Sequence, residues 1–298
     1  MMERKEIIID EKEAASSIHD GMSVAIGGFI NSLHPMAIIR HIIRNGVKNL
    51  TLIGTGNSGL DVDLLVGAGC VKKVITPCIT AEDLVAIGPM FRAKAQSGEI
   101  EVWECDEAIF YTGLRAAAAM LPFLPCRAGL GTSMPEINPD LKVFNDPING
   151  EPLVAVPPIE PEVSILHAGY ADAYGNIQHV GSALNDAIFF PASDKTIVEV
   201  DKIISNEDIR RFPEKTTIHI ADAVVRAPYG AHPYASPGFH LEDREHIKDY
   251  VTAATAFLKE NNREPFESYL KKYIYEPETH ADYLEVIGFK RLLSLYEY

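Results

Sequence analysis

Residues 1–125 repeat one pattern: a short apolar run meets a glycine turn and then an amphipathic stretch. Ser23-Val24-Ala25-Ile26 runs into Gly27-Gly28. Residues 34–44 follow, with Met36, Ile38, Ile39, Ile42 and Ile43 at helical spacing until Asn45-Gly46 stops them. Leu50-Thr51-Leu52-Ile53 runs into Gly54-Thr55-Gly56-Asn57-Ser58-Gly59, and a short helix over 61–66 is closed by Gly67. Residues 71–76 and 99–104 read as two more strands, and 108–120 as an alanine-rich helix stopped by Leu121-Pro122. Strands rich in Val and Ile, each followed by a glycine turn and a helix, are βαβ units. They predict an α/β fold with an open, mostly parallel sheet and helices on both faces. In such sheets ligands bind outside the carboxyl ends of the strands, where these glycine turns fall.

Beyond this stretch, residues 123–161 are rich in Pro, Gly and Asn with little periodicity, and read as an irregular lobe on one domain spanning 1–298. Strands return at 163–167, 196–200 and 218–225, and 243–293 forms a C-terminal helical segment. No apolar run reaches the roughly 18 residues a membrane span needs. Residues 1–12 are charged throughout, unlike a secretory signal, so a cytoplasmic chain is expected. A net charge of -15 excludes a nucleic-acid surface built on clustered Lys and Arg. A phosphorylated ligand would have to be met locally, by helix N-termini and a few cations, or by another chain. The four cysteines, Cys70, Cys78, Cys105 and Cys126, show no CxxC spacing and no metal-type pairing with His, so reduced thiols and no metal site are expected. Cys105 and Cys126 flank the Ala-rich helix and are either reactive thiols or small buried residues.

Five segments offer places for chemistry. Gly27-Gly28-Phe29 is either a tight turn or a close-approach loop whose free N–H groups face a carbonyl or phosphate oxygen. Gly54 to Gly59 has the G-x-G-x-x-G spacing, but Asp61 and Asp63 come too soon for the ribose-binding acid, and Asp83, nearer the right distance, follows no clear strand. Asp106-Glu107 sits where Asp106 caps a helix and Glu107 falls in its first turn. Arg127-Ala128-Gly129-Leu130-Gly131-Thr132-Ser133 is either a surface loop or a donor nest, and Pro228-Tyr229-Gly230-Ala231-His232-Pro233 either buries His232 or sets it in a cleft. No Ser-His-Asp order, P-loop lysine or HExxH is present.

Taken together, these segments resemble the α subunit of the family I CoA-transferases, over nearly the full length. The carriers are Asp20-Gly21-Met22-Ser23-Val24-Ala25-Ile26-Gly27-Gly28-Phe29 with Pro35, Ala116-Ala117-Ala118, Leu121-Pro122-Phe123-Leu124-Pro125, Ile203-Ile204-Ser205, Asp222-Ala223-Val224-Val225 and Ala227 to Pro233. The family usually has a glycine two residues before that proline; here Leu33 stands there, as a non-glycine residue does in the A chains of glutaconate CoA-transferases. The resemblance implies pairing with a homologous β subunit whose glutamate attacks an acyl-CoA thioester, forms a mixed anhydride and then an enzyme thioester, and passes CoA to a carboxylic acid. The acyl-CoA is then a substrate, and no tightly bound cofactor is implied. By the same resemblance the substrate contacts fall to Gly27, Gly28, Phe29, Asn31, Ser32, Gly54, Gly56, Asn57, Glu82, Gly129, Gly131, Thr132, Ser133 and His232, with Glu107 catalytic.

Glu107 departs from the transferase pattern, which carries a Gln whose amide donates to the oxyanion; an ionised carboxylate cannot donate. A ring-opening hydrolase of steroid degradation, built of two chains with the same fold and acting on an acyl-CoA, has Glu there. The run Arg127 to Pro135 also resembles that enzyme. Three readings follow: CoA transfer to a dicarboxylic or branched acid, ring-opening hydrolysis of an acyl-CoA with Glu107 as base, and acyl-CoA binding without chemistry.

Overall fold

The computed structural model describes residues 4–296; of the charged N-terminal stretch, residues 1–3 lie outside the described residues. Among the described residues the strands are β1 (Ile8–Ile9), β2 (Ser23–Ile26), β3 (Leu50–Ile53), β4 (Val71–Ile75), β5 (Glu101–Val102), β6 (Leu124–Cys126), β7 (Lys142–Asn145), β8 (Pro152–Val156), β9 (Val163–Ala171), β10 (Ile177–Gln178), β11 (Lys195–Ile203), β12 (Thr216–Ile218) and β13 (Ala223–Arg226). The main sheet runs β1-β13-β11-β9-β2-β3-β4-β5, parallel throughout, with β10 added antiparallel to β9 and β12.

Because successive side chains of a strand point to opposite faces, the sheet builds two cores. Val24, Ile26, Leu50, Leu52, Ile165 and Ile197 pack under one layer of helices. Ala25, Ile53, Leu166, Ala168, Val198 and Val200 pack on the other face against the helix Glu107–Ala118 and the segment that follows it. A sheet covered on both sides explains why its strands read as unbroken apolar runs.

The order of strands carries the functional consequence. From β2 the chain winds outward through β3, β4 and β5; it then returns to the opposite side of β2 and winds outward through β9, β11 and β13. The reversal falls between β2 and β9, where Ile26 pairs with Ile165. A crevice opens outside the carboxyl ends of strands at such a switch point, and Gly27-Gly28 stands there.

Several expectations are refined. The segment 123–161 is not irregular: β6, β8 and β7 form a second, antiparallel sheet, and Val154 and Val156 are buried in the second core. The stretch 218–225 is two strands rather than one, broken at Ile220 with φ +62. The strand at 99–104 shortens to β5, and the helix Pro89–Ser97 has no counterpart in the sequence reading. The C-terminal segment is helical, as Arg244–Glu260, Glu264–Leu270, His280–Ile287 and Phe289–Ser294. No helix among the described residues is long and apolar enough to cross a membrane.

Candidate active site at the switch point

Gly27 is a packing requirement: a Cβ there would lie 2.5 Å from Asp186 Oδ1 and 2.8 Å from Leu166 Cδ2. Gly28 has φ +97, a conformation few other residues adopt. Of the two readings of this loop, the tight turn is the one the bonds describe. Gly27 N donates to Ile165 O (2.9 Å), Gly28 N to Asp186 Oδ1 (3.2 Å), Phe29 N to Ser32 O (2.9 Å) and Ile30 N to Asn57 O (2.9 Å). The loop then passes through two left-handed residues, Ile30 (φ +49) and Leu33 (φ +62). For a β-branched residue such as Ile30 this backbone is strained, and strain persists only where surroundings enforce it. Here the bonds from Ile30 N to Asn57 O and from Leu33 N to Ala235 O (2.8 Å) do so.

The second glycine loop is tied to the first. Each glycine of its G-x-G-x-x-G spacing is explained by crowding: a Cβ on Gly54 would lie 2.2 Å from Ser58 Oγ, on Gly56 2.6 Å from Tyr111 Oη, and on Gly59 2.7 Å from Ile30 O. Ser58 Oγ holds the turn by accepting from Thr55 N (2.8 Å) and pairing with Thr76 Oγ1 (3.0 Å). The dinucleotide fingerprint is therefore accidental. Asp61 lies 2.9 Å from His34 Nδ1, and Asp63, pushed up to about 6 chiefly by burial, accepts from Phe91 N and Tyr250 Oη.

Glu107 closes the corner. Asp106 accepts from Ile109 N at 2.7 Å and caps the helix, so Glu107 starts it from an exposed position. Its Oε1 accepts from Asn57 Nδ2 at 2.8 Å, a charge-assisted bond that aims the carboxylate at the second loop. One turn later Tyr111 donates to Asn185 Oδ1, and Asn185 Nδ2 reaches Gly28 O (3.3 Å). Burial first, then the Glu107 charge, raises the Tyr111 hydroxyl and the Cys78 thiol above their ordinary values.

The structure thus gathers Gly27, Gly28, Phe29, Gly54, Gly56, Asn57 and Glu107. Asn31 and Glu82 lie on the rim, where Asn31 Nδ2 donates to Glu82 Oε2 (3.2 Å), and Ser32 pairs with Phe29. Gly129 packs near Ile109, 3.3 Å from where its Cβ would be, which sets the turn Gly129–Ser133 against the head of the same helix. Gly131, Thr132 and Ser133 are exposed, and Thr132 Oγ1 bonds Gly129 O (2.8 Å) within the turn.

His232 is not brought to this corner. It is fully buried, with Nδ1 2.7 Å from Tyr283 Oη and Nε2 3.1 Å from Asp243 Oδ2, and burial holds its pKa below the ordinary value. The cleft histidine is a correction: this one fastens the C-terminal helices. Cys105 is buried, and burial with Asp106 and Glu104 pushes its thiol up to about 12, which opposes a nucleophilic role. No group of three or more His, Cys, Asp or Glu that could hold a metal occurs among the described residues. Sequence reasoning missed Asn185, Asp186 and His179 altogether; Tyr111 was within its reach, since it lies four residues after Glu107 on one helix face.

An open parallel sheet with glycine loops and an aimed carboxylate at its switch point is the architecture of an α/β enzyme that works on a ligand laid across the strand ends. Residues 9–226 match the family described as Coenzyme A transferase, and the chain belongs to that family. It is 33% identical over 300 residues to the A chain of glutaconate CoA-transferase from Acidaminococcus fermentans, covering 94% of this chain and 91% of that one. It superposes on the crystal structure of that transferase with a TM-score of 0.90, over 98% of this chain and 96% of the other, at 30% identity. It is 32% identical over 254 residues to the cholesterol ring-cleaving hydrolase IpdA subunit of Mycobacterium tuberculosis, covering 82% and 86%. A protein of Archaeoglobus fulgidus is 36% identical over 95% of this chain, and the chain spans 62% of that relative's length.

Proposed function

We propose that this chain is the α subunit of a two-chain, cytoplasmic enzyme that moves CoA from an acyl-CoA donor to a dicarboxylic or branched carboxylic acid. A homologous β subunit supplies the nucleophilic glutamate. That glutamate attacks the thioester carbonyl and expels CoA thiolate; the thiolate attacks the glutamyl carbonyl of the resulting anhydride and releases the donor carboxylate. The acceptor carboxylate then attacks the enzyme thioester, and the expelled thiolate attacks the acceptor's acyl carbon, giving the new acyl-CoA and the free glutamate. The α subunit contributes the glycine-loop corner, the rim residues Asn31, Ser32 and Glu82, and the turn from Gly129 to Ser133. Chemistry of this kind needs no tightly bound cofactor. The observation that carries the proposal is the superposition on a transferase at a TM-score of 0.90 over 98% of the chain. The Acidaminococcus relative is itself one chain of a multi-chain transferase, which supports a partner here.

A second reading has its own observation. Glu107 Oε1 is an acceptor for Asn57 Nδ2, whereas oxyanion stabilisation calls for a donor. A carboxylate in that state suits a general base that takes a proton from water, and the hydrolase reading assigns Glu107 that task. The deciding experiment is Glu107→Gln in the complex of both chains. Under transfer, Gln restores an amide donor, and turnover with a carboxylic acid acceptor is kept or rises, with an enzyme thioester that borohydride destroys. Under hydrolysis, loss of the base lowers turnover by about 10²- to 10⁴-fold. A complex that binds acyl-CoA and turns it over with neither water nor an acid overturns both readings and leaves a binding protein.

A further inference from the structure

Asn185 and Asp186, which no sequence pattern singled out, touch both polar ends of the Gly28 residue. Asp186 Oδ1 accepts from Gly28 N (3.2 Å), and Asn185 Nδ2 donates to Gly28 O (3.3 Å). Both side chains are almost wholly buried, and each is braced from behind. His179 Nε2 lies 3.0 Å from Asp186 Oδ2, with its Nδ1 2.6 Å from Thr217 Oγ1, and Tyr111 Oη donates to Asn185 Oδ1. Gly27 cannot carry a side chain because Asp186 occupies the space. These contacts close a ring: Tyr111 to Asn185, Asn185 to Gly28, Ile30 N to Asn57 O, and Asn57 to Glu107, one turn from Tyr111 on the same helix.

We propose that Asn185 and Asp186 are positioning residues that lock the Gly27-Gly28 turn and, through Asn57, the aim of Glu107. The catalytic half of this inference rests on reading the corner as the reaction site; the mechanical half does not. Release of either clamp residue frees a turn whose next residues are held left-handed at Ile30 and Leu33, so the loop relaxes and Asn57 moves with it.

The test uses hydrogen exchange on the full chain and kinetics on the complex of both chains, with acetyl-CoA as donor and glutaconate as acceptor. Asp186→Ala and Asn185→Ala should speed exchange in the peptide covering 27–33 by about tenfold or more, leaving the main-sheet peptides unchanged. His179→Ala touches nothing in that peptide and should do the same. Asp186→Asn keeps an acceptor oxygen towards Gly28 and should restore most of the protection, whereas Asp186→Leu, similar in shape but with no acceptor, should not. In turnover, the alanine variants should lose about tenfold to hundredfold in kcat, with KM for acetyl-CoA changed less than about threefold. Unchanged exchange in 27–33, or faster exchange across every peptide, overturns the clamp. Loosened exchange with unchanged kcat overturns the positioning role. A wild-type complex inactive with this pair excludes transfer from acetyl-CoA to glutaconate, while the exchange results still decide the clamp.

Discussion

Leu33 offers a sharp test of the loop, because two effects there oppose each other. The position has φ +62 and the side chain is only 6% exposed. Removing a buried leucine side chain costs about 2–5 kcal/mol, and Leu33→Ala should sit in that range because alanine keeps the left-handed backbone. Leu33→Gly loses that packing and the Cβ with it, but sheds the left-handed penalty of about 1–2 kcal/mol. Against this, glycine's extra freedom in the unfolded chain costs about 0.5–1 kcal/mol. Leu33→Gly should therefore be more stable than Leu33→Ala by about 0.5 kcal/mol, the reverse of the order expected at a helix or strand position. Urea unfolding of the full chain, with m held equal between variants, resolves the difference in midpoint. If Leu33→Gly unfolds at or below the urea concentration of Leu33→Ala, the backbone explanation for the family's glycine at this position is refuted.

Other outcomes follow from the same contacts. Gly56→Ala places a Cβ 2.6 Å from Tyr111 Oη and 3.1 Å from Cζ, costing about 1–3 kcal/mol. Tyr111→Phe removes the nearest atom, so the double variant should be more stable in thermal unfolding than the sum of the two singles. Stability should peak near pH 6.5 on three histidines. His280, held at about 3 by burial and the Arg40 charge, and His240, held at about 4 chiefly by burial, stay neutral in the fold. The unfolded chain therefore binds more protons below about pH 6.5, and stability falls on acidification. Burial opposes charge on His167, but hydrogen bonds to Asp201 and Glu199 lift it to about 9, so its contribution is complete below about pH 6.5 and lost as pH rises through 9. A urea midpoint that keeps climbing from pH 7 to 9 contradicts the His167 assignment. Cys105→Ser should keep turnover in the two-chain complex, and intact protein should resist iodoacetamide at Cys105; fast labelling there with loss of activity would restore the thiol reading.

What could be read from the sequence is what neighbouring residues enforce. The strand, glycine turn and helix pattern places β2, β3, β4 and the helices after β2 and β3 within a residue or two, because burial and capping act over a single turn. Asp106 caps as its position foretells, and Glu107 falls in the first turn. The switch point was out of reach, since it depends on Ile26 pairing with Ile165, far along the chain. Asn185 and Asp186 were hidden for the same reason: their partner is Gly28, 157 and 158 residues away. The antiparallel sheet of β6, β7 and β8 escaped because its strands are short, β6 carries Pro125 at its centre and β8 opens on Pro152.

Glycine is where local reading and structure part most clearly. Gly27, Gly28, Gly54, Gly56 and Gly59 look alike in sequence, and glycine beside a strand end suggests donors laid open to a ligand. In the fold they are glycines because Asp186, His34, Ser58, Tyr111 and Ile30 crowd them, and the N–H groups from Gly27 to Ile30 are already bonded within the chain. A loop whose donors are spent is scaffolding. It holds the corner's shape and leaves any chemistry to side chains that still face outward, of which Asn57 and Glu107 are paired. Under the proposed function, the carboxylate at residue 107 therefore carries more chemical consequence than any glycine around it. It sets an acceptor where the head of the helix meets the second glycine loop, at Asn57.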